Sequence, residues 1–296
     1  MYYNENTILF YNGSMQKATE AHANLYTQTL HYGYGVFEGI RSYQTADGPR
    51  IFKAKEHYDR LIRSCELMHI PFEYTADELT AITYEVLERN NLAEAYIRPL
   101  VFCSPNMSLT VSPQSFLAIA AWEWSAYLGE KLVRLYLSSY CRPHPRSLHV
   151  EAKASGHYVN SILATTEAKK KGYDEALLLD HEGFLAEGPG ANLFFEKDGR
   201  LYTPATGHIL RGITRATVME LCEELNIPCE EGRYHAEDLF AADSAFYCGT
   251  GAEIVGIASV NDRSFGKNWN ESIGKRLQRA YLKLVREQSL QSLEVA

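Results

Sequence analysis

Residues 150–161 read VEAKASGHYVNS, and the plan of the chain turns on them. They spell an apolar approach expected to be a strand, a lysine at position 153, a run of small residues and the opening of a helix. Ala152, Ala154, Ser155 and Gly156 leave room around Lys153 for a planar group to come close to the amine. A lone lysine is ordinarily a solvated surface charge. One withdrawn from water shifts toward its neutral, nucleophilic form. The stretch SGHYVNSILATTEAKKKG (155–172) predicts a helix with basic residues in its last turn and Gly172 as its stop, a placement that suits the helix dipole and a left-handed C-cap.

Toward the N-terminus, apolar strands alternate with amphipathic helices. AKEHYDRLIRSCELMHI (54–70) puts Leu61, Cys65 and Met68 on one helical face and ends before Pro71. In DELTAITYEVLERNN (77–91), Asp77 is the expected cap and Leu79, Ile82, Val86 and Leu87 form the core stripe. AYIRPLVF (95–102), SFLAIAAWEW (115–124) and KLVRLYLSSY (131–140) then read as three strands.

Toward the C-terminus, DEALLLD (174–180) and ANLFFEKDGRLYTP (191–204) predict strands, the second segment folding back at Asp198-Gly199. GITRATVMELCEELNI (212–227) predicts a helix, and SAFYCGTGAEIVGIASV (244–260) two strands around a glycine-rich bend. The fold class is therefore α/β (α+β) with mixed sheets in two domains. A small N-terminal domain covers 1–124, a linker 125–133 and a larger C-terminal domain 134–296.

Composition narrows the function. The chain has 296 residues, 46% of them hydrophobic and 22% charged, enough to bury a full core. A net charge of -8 argues against nucleic acid as a partner, because phosphate-backbone affinity needs clustered Lys and Arg. The start, MYYNENTILFYNG, has no basic region followed by an apolar one, and no apolar stretch is long enough to cross a bilayer, so a soluble, cytoplasmic protein is expected. The six cysteines form no CxxC pair and read as buried thiols. No HExxH or two-histidine-one-carboxylate pattern occurs, and no metal is expected. A GxSxG elbow is absent as well.

Four segments carry chemistry. Lys153 suits Schiff-base formation. Glu187, in LAEGPGANLFF (185–195), is held by a Gly-Pro-Gly bend at a strand end; opposite a pyridine nitrogen it would keep that nitrogen protonated and make the ring an electron sink. Gly212 stands at the mouth of the helix beginning near Thr214, where free N–H groups and a hydroxyl meet in a phosphate-binding geometry. Thr250 and two glycine amides in YCGTGAEIVG (247–256) offer similar donors. The G-T-G there comes late and precedes a strand, which rules out a Rossmann fingerprint.

HYGYGVFEGIRSY, EHYDRL, AYIRPLVF, AWEWSAYLG, EAKASGHYVNS, AEGPGANLFF, ILRGITR and CGTGAEI, in that order over nearly the whole chain, resemble the successive motifs of the branched-chain amino acid aminotransferases of the class IV pyridoxal-phosphate (PLP) enzymes. The resemblance implies a fold-type IV enzyme that works as a homodimer, with pyridoxal 5'-phosphate in the cleft between a small and a large domain. It implies a ping-pong exchange of an amino group between leucine, isoleucine or valine and 2-oxoglutarate. Lys153 matches the lysine that bonds the cofactor and moves the proton, Tyr158 the tyrosine on its phenolic oxygen, and Glu187 the acid at the ring nitrogen. Arg60, the Ile213 and Thr214 amides, the Thr214 hydroxyl and Thr250 match the phosphate-binding group. On the substrate side, Tyr96 with the Gly251 and Ala252 amides resembles the α-carboxylate site. Phe37, Gly39, Tyr127 and Tyr158 resemble the side-chain pocket. Tyr32 and Leu109 match residues that reach in from the partner subunit, and Arg98 resembles the acceptor of glutamate's distal carboxylate.

Three readings compete with this one. A D-amino-acid transaminase or an aminodeoxychorismate lyase would share Lys153 and Glu187, and FEGIR with the Tyr96-x-Arg98 pair distinguishes the branched-chain group from both. A non-catalytic binding module of the same fold would be expected to have lost the lysine or the glutamate. GTGAE in place of GTAAE, WEW without a proline between the aromatics, and SPNMSLTV in the partner-facing loop depart from the usual pattern and bear on side-chain preference.

Overall fold

The computed structural model describes residues 2–124 and 131–287. The chain divides into two compact units, Met1–Trp124 with Ala152–His157, and Ser125–Glu151 with Tyr158–Ala296. Expected residue Tyr127 and most of the expected linker lie outside the described residues.

In the first unit, β1 (Ile8–Tyr11), β2 (Ser14–Lys17), β3 (Gly35–Phe37), β4 (Ile40–Thr45), β5 (Gly48–Ile51), β6 (Ala95–Cys103) and β7 (Ser115–Trp122) form a seven-stranded sheet in the order β2-β1-β7-β6-β4-β5, with β3 also on β6. Helices α1 (Gln28–Tyr32), α2 (Ala54–Leu67) and α3 (Ala76–Arg89) complete it. Leu61 and Cys65 of α2 and Leu79, Val86 and Leu87 of α3 enter one core with Val36, Ile40, Ile97, Val101 and Ile119 of the sheet. Ile82 and Met68 pack at its edge. The cap of α3 is Thr75 rather than the expected Asp77: its side chain accepts from the Glu78 N–H, and Glu78 reaches back to the Thr75 N–H. A capping box satisfies two orphan donors where Asp77 would satisfy one.

One irregularity of this sheet prepares the site. β6 pairs with β4 up to Ile40↔Ile97 and with β3 from Phe37↔Leu100. Pro99, which has no N–H to give, falls where the partner changes. Glu38 and Gly39 occupy that break, with the Glu38 N–H donating to the Pro99 carbonyl at 2.8 Å.

The second unit holds β8 (Val133–Cys141), β9 (Glu175–Leu179), β10 (Asn192–Lys197), β11 (Arg200–Pro204), β12 (Cys229–Gly232), β13 (Ser244–Gly249), β14 (Glu253–Val260) and β15 (Arg263–Ser264). Their order is β12-β11-β10-β13-β14-β8-β9, with β15 on β14. The sheet is mixed: β8 runs parallel to β9 and β14, and β11 parallel to β12, among antiparallel neighbours. Asp198 and Gly199 both have positive φ (51° and 74°), which closes the β10–β11 hairpin as the sequence required. Helices α4 (Tyr158–Lys170), α5 (Ile213–Glu224), α6 (Ala236–Phe240) and α7 (Ile273–Glu287) accompany the sheet.

The strand expected just before Lys153 does not form. Residues 142–151 run as turns and irregular backbone, because Pro143 and Pro145 remove two ladder donors. Beyond the lysine the chain makes a single bridge, Ala154 to Val36, and then a 3-10 turn at Ser155–His157 ahead of α4.

Candidate active site

In the first unit Lys153 is fixed from two sides. Its carbonyl accepts from the Phe37 N–H at 3.1 Å, and its N–H donates to Ser64 Oγ, also at 3.1 Å, while that hydroxyl donates to the Arg60 carbonyl. The backbone of the amine-bearing residue is thereby tied to β3 and α2. Gly156 lies so close to Gly33 that a side chain at Gly33 would strike its backbone at 2.8 Å. Lys153 is half-buried, and its Nζ lies 5.0 Å from the centre of the Phe37 ring.

The Arg98 guanidinium faces the same ring at 4.7 Å and donates to the Tyr96 hydroxyl at 3.2 Å. Its Nε is buried and makes no hydrogen bond among the described residues, so an anionic oxygen would satisfy it. Gly39 is required by Tyr96: a Cβ there would sit 2.1 Å from the tyrosine hydroxyl. Trp124 meets Tyr96 edge to face with centroids 4.7 Å apart. Phe37, Gly39, Tyr96, Arg98 and Lys153 thus share one neighbourhood.

Arg60 adjoins it through Glu38, donating from Nε to Oε1 at 2.6 Å and from Nη2 to Oε2 at 2.8 Å. His57 Nδ1 meets Oε2 at 2.8 Å. Burial on its own would raise the Glu38 carboxyl, but the Arg60 charge and the His57 contact outweigh it and hold the group well below the usual carboxylate range. His57 is pushed down, first by burial and then by the charges of Arg60 and Lys153.

Tyr32 and Leu109 of the same unit are exposed. Leu109 is 88% exposed and Tyr32 46%, with Leu25, Tyr26, Leu30 and Met107 beside them in exposure. The loop carrying Leu109 is strapped to α1: the Tyr32 hydroxyl donates to the Met107 carbonyl at 3.1 Å, and the Gln28 amide to the carbonyls of Ser108 and Thr110.

In the second unit Glu187 is buried. Its Oε1 accepts from the Leu210 N–H at 3.1 Å and Oε2 from the Asn192 amide at 3.0 Å. Arg142 Nε lies 3.0 Å from Oε1, close enough for an ion pair although the N–H does not point along a hydrogen bond. Three partners of this kind favour the ionised carboxylate. The Glu187↔Asn192 bridge closes the Gly-Pro-Gly bend, and Gly188 has no room for a side chain because the Tyr247 ring is 2.8 Å from where its Cβ would be.

Helix α5 begins at Ile213 with Gly212 as its cap, a residue with no side chain to bond the first N–H groups. A Cβ on Gly212 would collide with Asn192 Oδ1 at 2.0 Å, so the residue that carries the Glu187 contact also excludes every larger cap. Thr214 is buried in that first turn, and Thr250 and Gly251 lie in the β13–β14 bend with Ala252 buried behind them. Tyr158, half-buried, is the first residue of α4.

Sequence reasoning passed over Glu38, His57, Ser64, Arg142 and Asn192. A carboxylate inside the apolar run YGVFEGI was the one signal for Glu38, since a buried acid needs a partner. Asp180, Glu182 and His208 also converge, with ligating atoms within 4.8 Å of one another. Arg233, ion-paired to Glu182 and 4.0 Å from Asp180, already supplies the cation there.

The first unit thus presents a half-buried amine among small residues, and the second a buried carboxylate with a donor on each oxygen and a helix that begins at a glycine cap. The sequence pattern of amino-transferase class IV matches residues 35–260. The chain belongs to the class IV aminotransferase family. It is 40% identical over 284 residues to a branched-chain-amino-acid aminotransferase of Pseudomonas aeruginosa, covering 94% of this chain and 92% of that one. The branched-chain aminotransferase of the archaeon Thermoproteus uzoniensis, solved with norvaline, superposes with a TM-score of 0.93 at 37% identity, over 97% of each chain. The T.th. branched-chain amino acid aminotransferase, solved with N-(5'-phosphopyridoxyl)-L-glutamate, does so with a TM-score of 0.90 at 36% identity, over 97% of this chain and 96% of that one.

Proposed function

We propose that the chain is a branched-chain amino acid aminotransferase that uses pyridoxal 5'-phosphate and exchanges the amino group of leucine, isoleucine or valine with 2-oxoglutarate in two half-reactions. The observation that carries this reading is Lys153: an amine on a backbone anchored by Phe37 and Ser64, set among residues too small to crowd a flat ring. The likeness to relatives named for this activity supports it, as does a structural neighbour that holds a phosphopyridoxyl-glutamate adduct.

The buried Arg98 Nε and the glycine-capped start of α5 are the observations that fit the cofactor and an acidic substrate. When bound, the cofactor supplies an aldehyde carbon that condenses with amines and a ring that draws electrons from that carbon. Lys153 would hold the cofactor and then, released as a neutral amine, would take the proton from the substrate α-carbon as general base and deliver it as general acid to the carbon that had been the cofactor's aldehyde. Glu187, kept ionised by Arg142 and by the Asn192 and Leu210 donors, holds the proton of the ring nitrogen. Arg60, the Ile213 and Thr214 amides, the Thr214 hydroxyl and Thr250 bind the phosphate, and Tyr158 the phenolic oxygen.

Tyr96, with the Gly251 and Ala252 amides, takes the α-carboxylate. Phe37, Gly39, Tyr127 and Tyr158 serve the apolar side chain of the substrate, and Arg98 admits the second carboxylate of glutamate. Tyr32 and Leu109, exposed on their own subunit, serve the site of the other chain of a homodimer. Among the described residues no helix is long and apolar enough to cross a membrane.

The test is a substrate panel with purified holoenzyme. L-leucine with 2-oxoglutarate should turn over, while D-alanine and aminodeoxychorismate should not. Borohydride reduction should leave the cofactor on the peptide that contains Lys153. Turnover of D-alanine in preference to L-leucine, or a label on another peptide, would reject the reading.

A further inference from the structure

We infer that Glu38 is a positioning residue for cofactor binding: it sets the direction of the Arg60 guanidinium, and through β3 and α2 it locks that direction to the backbone of Lys153. The inference rests on the proposed role of Arg60 at the phosphate and extends it.

Glu38 is completely buried, in the break between β3 and β4 where β6 changes partners. Its Oε2 also accepts from the Gly39 N–H at 3.2 Å, so the carboxylate is anchored to its own backbone as well as to His57 and Arg60. A two-point contact between a carboxylate and the Nε/Nη2 edge of an arginine fixes the plane of the guanidinium and hence where Nη1 points. A single ion contact would leave the side chain free to rotate. The arginine backbone is held too, since its carbonyl accepts from Ser64 Oγ at 2.8 Å and that same oxygen accepts from the Lys153 N–H.

The Phe37 N–H, one residue from Glu38, donates to the Lys153 carbonyl at 3.1 Å. Glu38 and Lys153 therefore hang on adjacent points of one strand, and Arg60 and Ser64 on adjacent turns of one helix. The four residues make a closed frame in which the amine for one end of the cofactor and the cation for its phosphate are set relative to each other before ligand arrives. Preorganisation of this kind raises affinity by removing the cost of ordering side chains on binding.

The test compares apo wild type, Glu38→Gln and Arg60→Ala for equilibrium binding of pyridoxal 5'-phosphate and of pyridoxal, which lacks the phosphate. Circular dichroism and a melting curve establish that each variant is folded. A residue acting through the phosphate contact should matter for one ligand and not for the other. Glu38→Gln should weaken pyridoxal-phosphate binding about tenfold or more, in the direction of Arg60→Ala, while leaving pyridoxal binding near wild type. Added to Arg60→Ala, it should weaken binding no further.

If Arg60→Ala weakens the phosphate ester and Glu38→Gln does not, or if Glu38→Gln weakens both ligands equally, the positioning role is overturned and Glu38 is a structural ion-pair partner. If Arg60→Ala itself changes nothing, the phosphate assignment fails and this inference falls with it. Glu38→Asp, which keeps the charge but draws the guanidinium back by one methylene, gives the same reading should the glutamine variant not fold: a loss confined to the phosphate ester supports the role, and wild-type binding of both ligands overturns it.

Discussion

Arg142 Nε stands 3.0 Å from Glu187 Oε1, with both side chains almost fully withdrawn from solvent. The pair has two consequences that can be separated. Glu187→Gln removes the negative charge from the ring-nitrogen position, so the holoenzyme should keep its cofactor absorption while kcat for leucine falls by roughly two or more orders of magnitude. It also leaves the Arg142 charge buried without its partner, so the variant should be less stable by about 3 kcal/mol or more. Arg142→Met should show the stability loss with a smaller loss of rate, because the Asn192 and Leu210 donors still hold the carboxylate. Unchanged turnover in Glu187→Gln would take the residue out of the chemistry.

Much of this arrangement is written in the sequence at the level of local pattern. The hairpin at Asp198-Gly199, the helix stop at Gly172 and the stripe of α3 follow from backbone and period-3.6 rules that act within a few residues. The partners of the charged groups are another matter. Arg60 meets Glu38 across 22 positions, and Asn192 fills the space above Gly212 across 20, so neither contact leaves a trace in local periodicity. The strand expected before Lys153 fails for a different reason: the apolar character of Leu148 and Val150 suggests a ladder that the prolines upstream forbid.

Gly39 offers a test of the substrate side. Its missing side chain is the space occupied by the Tyr96 hydroxyl, which would lie 2.1 Å from an added Cβ. Gly39→Ala must push the Tyr96 ring away from Arg98, its hydrogen-bond donor. We expect KM for leucine to rise about tenfold or more with little change in the affinity for pyridoxal 5'-phosphate, since alanine keeps the backbone N–H that Gly39 gives to Glu38, the partner of Arg60. Steady-state kinetics and a cofactor titration of the same preparation check this. A loss of cofactor affinity equal to the loss in KM would contradict it.

Acidification should weaken the fold through Glu38 and His57. Glu38 is held well below its ordinary value of 4.5, so its contribution is fully present above that pH and is lost as pH falls below it toward the depressed folded value. His57 is also depressed, from 6.5, which means that the unfolded chain takes up a proton before the folded one does and stability starts to fall below 6.5. Both shifts act in the same direction. Urea unfolding followed from neutral pH downward should show wild type and Glu38→Gln far apart at pH 7 and converging in acid. Parallel curves would mean that the Glu38 carboxylate is not the group being titrated.

The exposed face bearing Tyr32 and Leu109 makes a prediction about two chains rather than one. If these residues complete the site of the partner, a Leu109→Asp chain keeps a working lysine but spoils its neighbour, and a Lys153→Ala chain lacks the lysine but carries a good loop. Each homodimer should be inactive. In the mixed dimer the Leu109→Asp chain keeps its own Lys153 and receives a native loop from the Lys153→Ala chain, so one of the two sites is whole. Co-expression with two different affinity tags, followed by purification through both, should therefore recover up to about half the wild-type kcat per dimer. A mixed dimer as inactive as its parents would mean that Leu109 acts within its own chain and does not complete the partner's site.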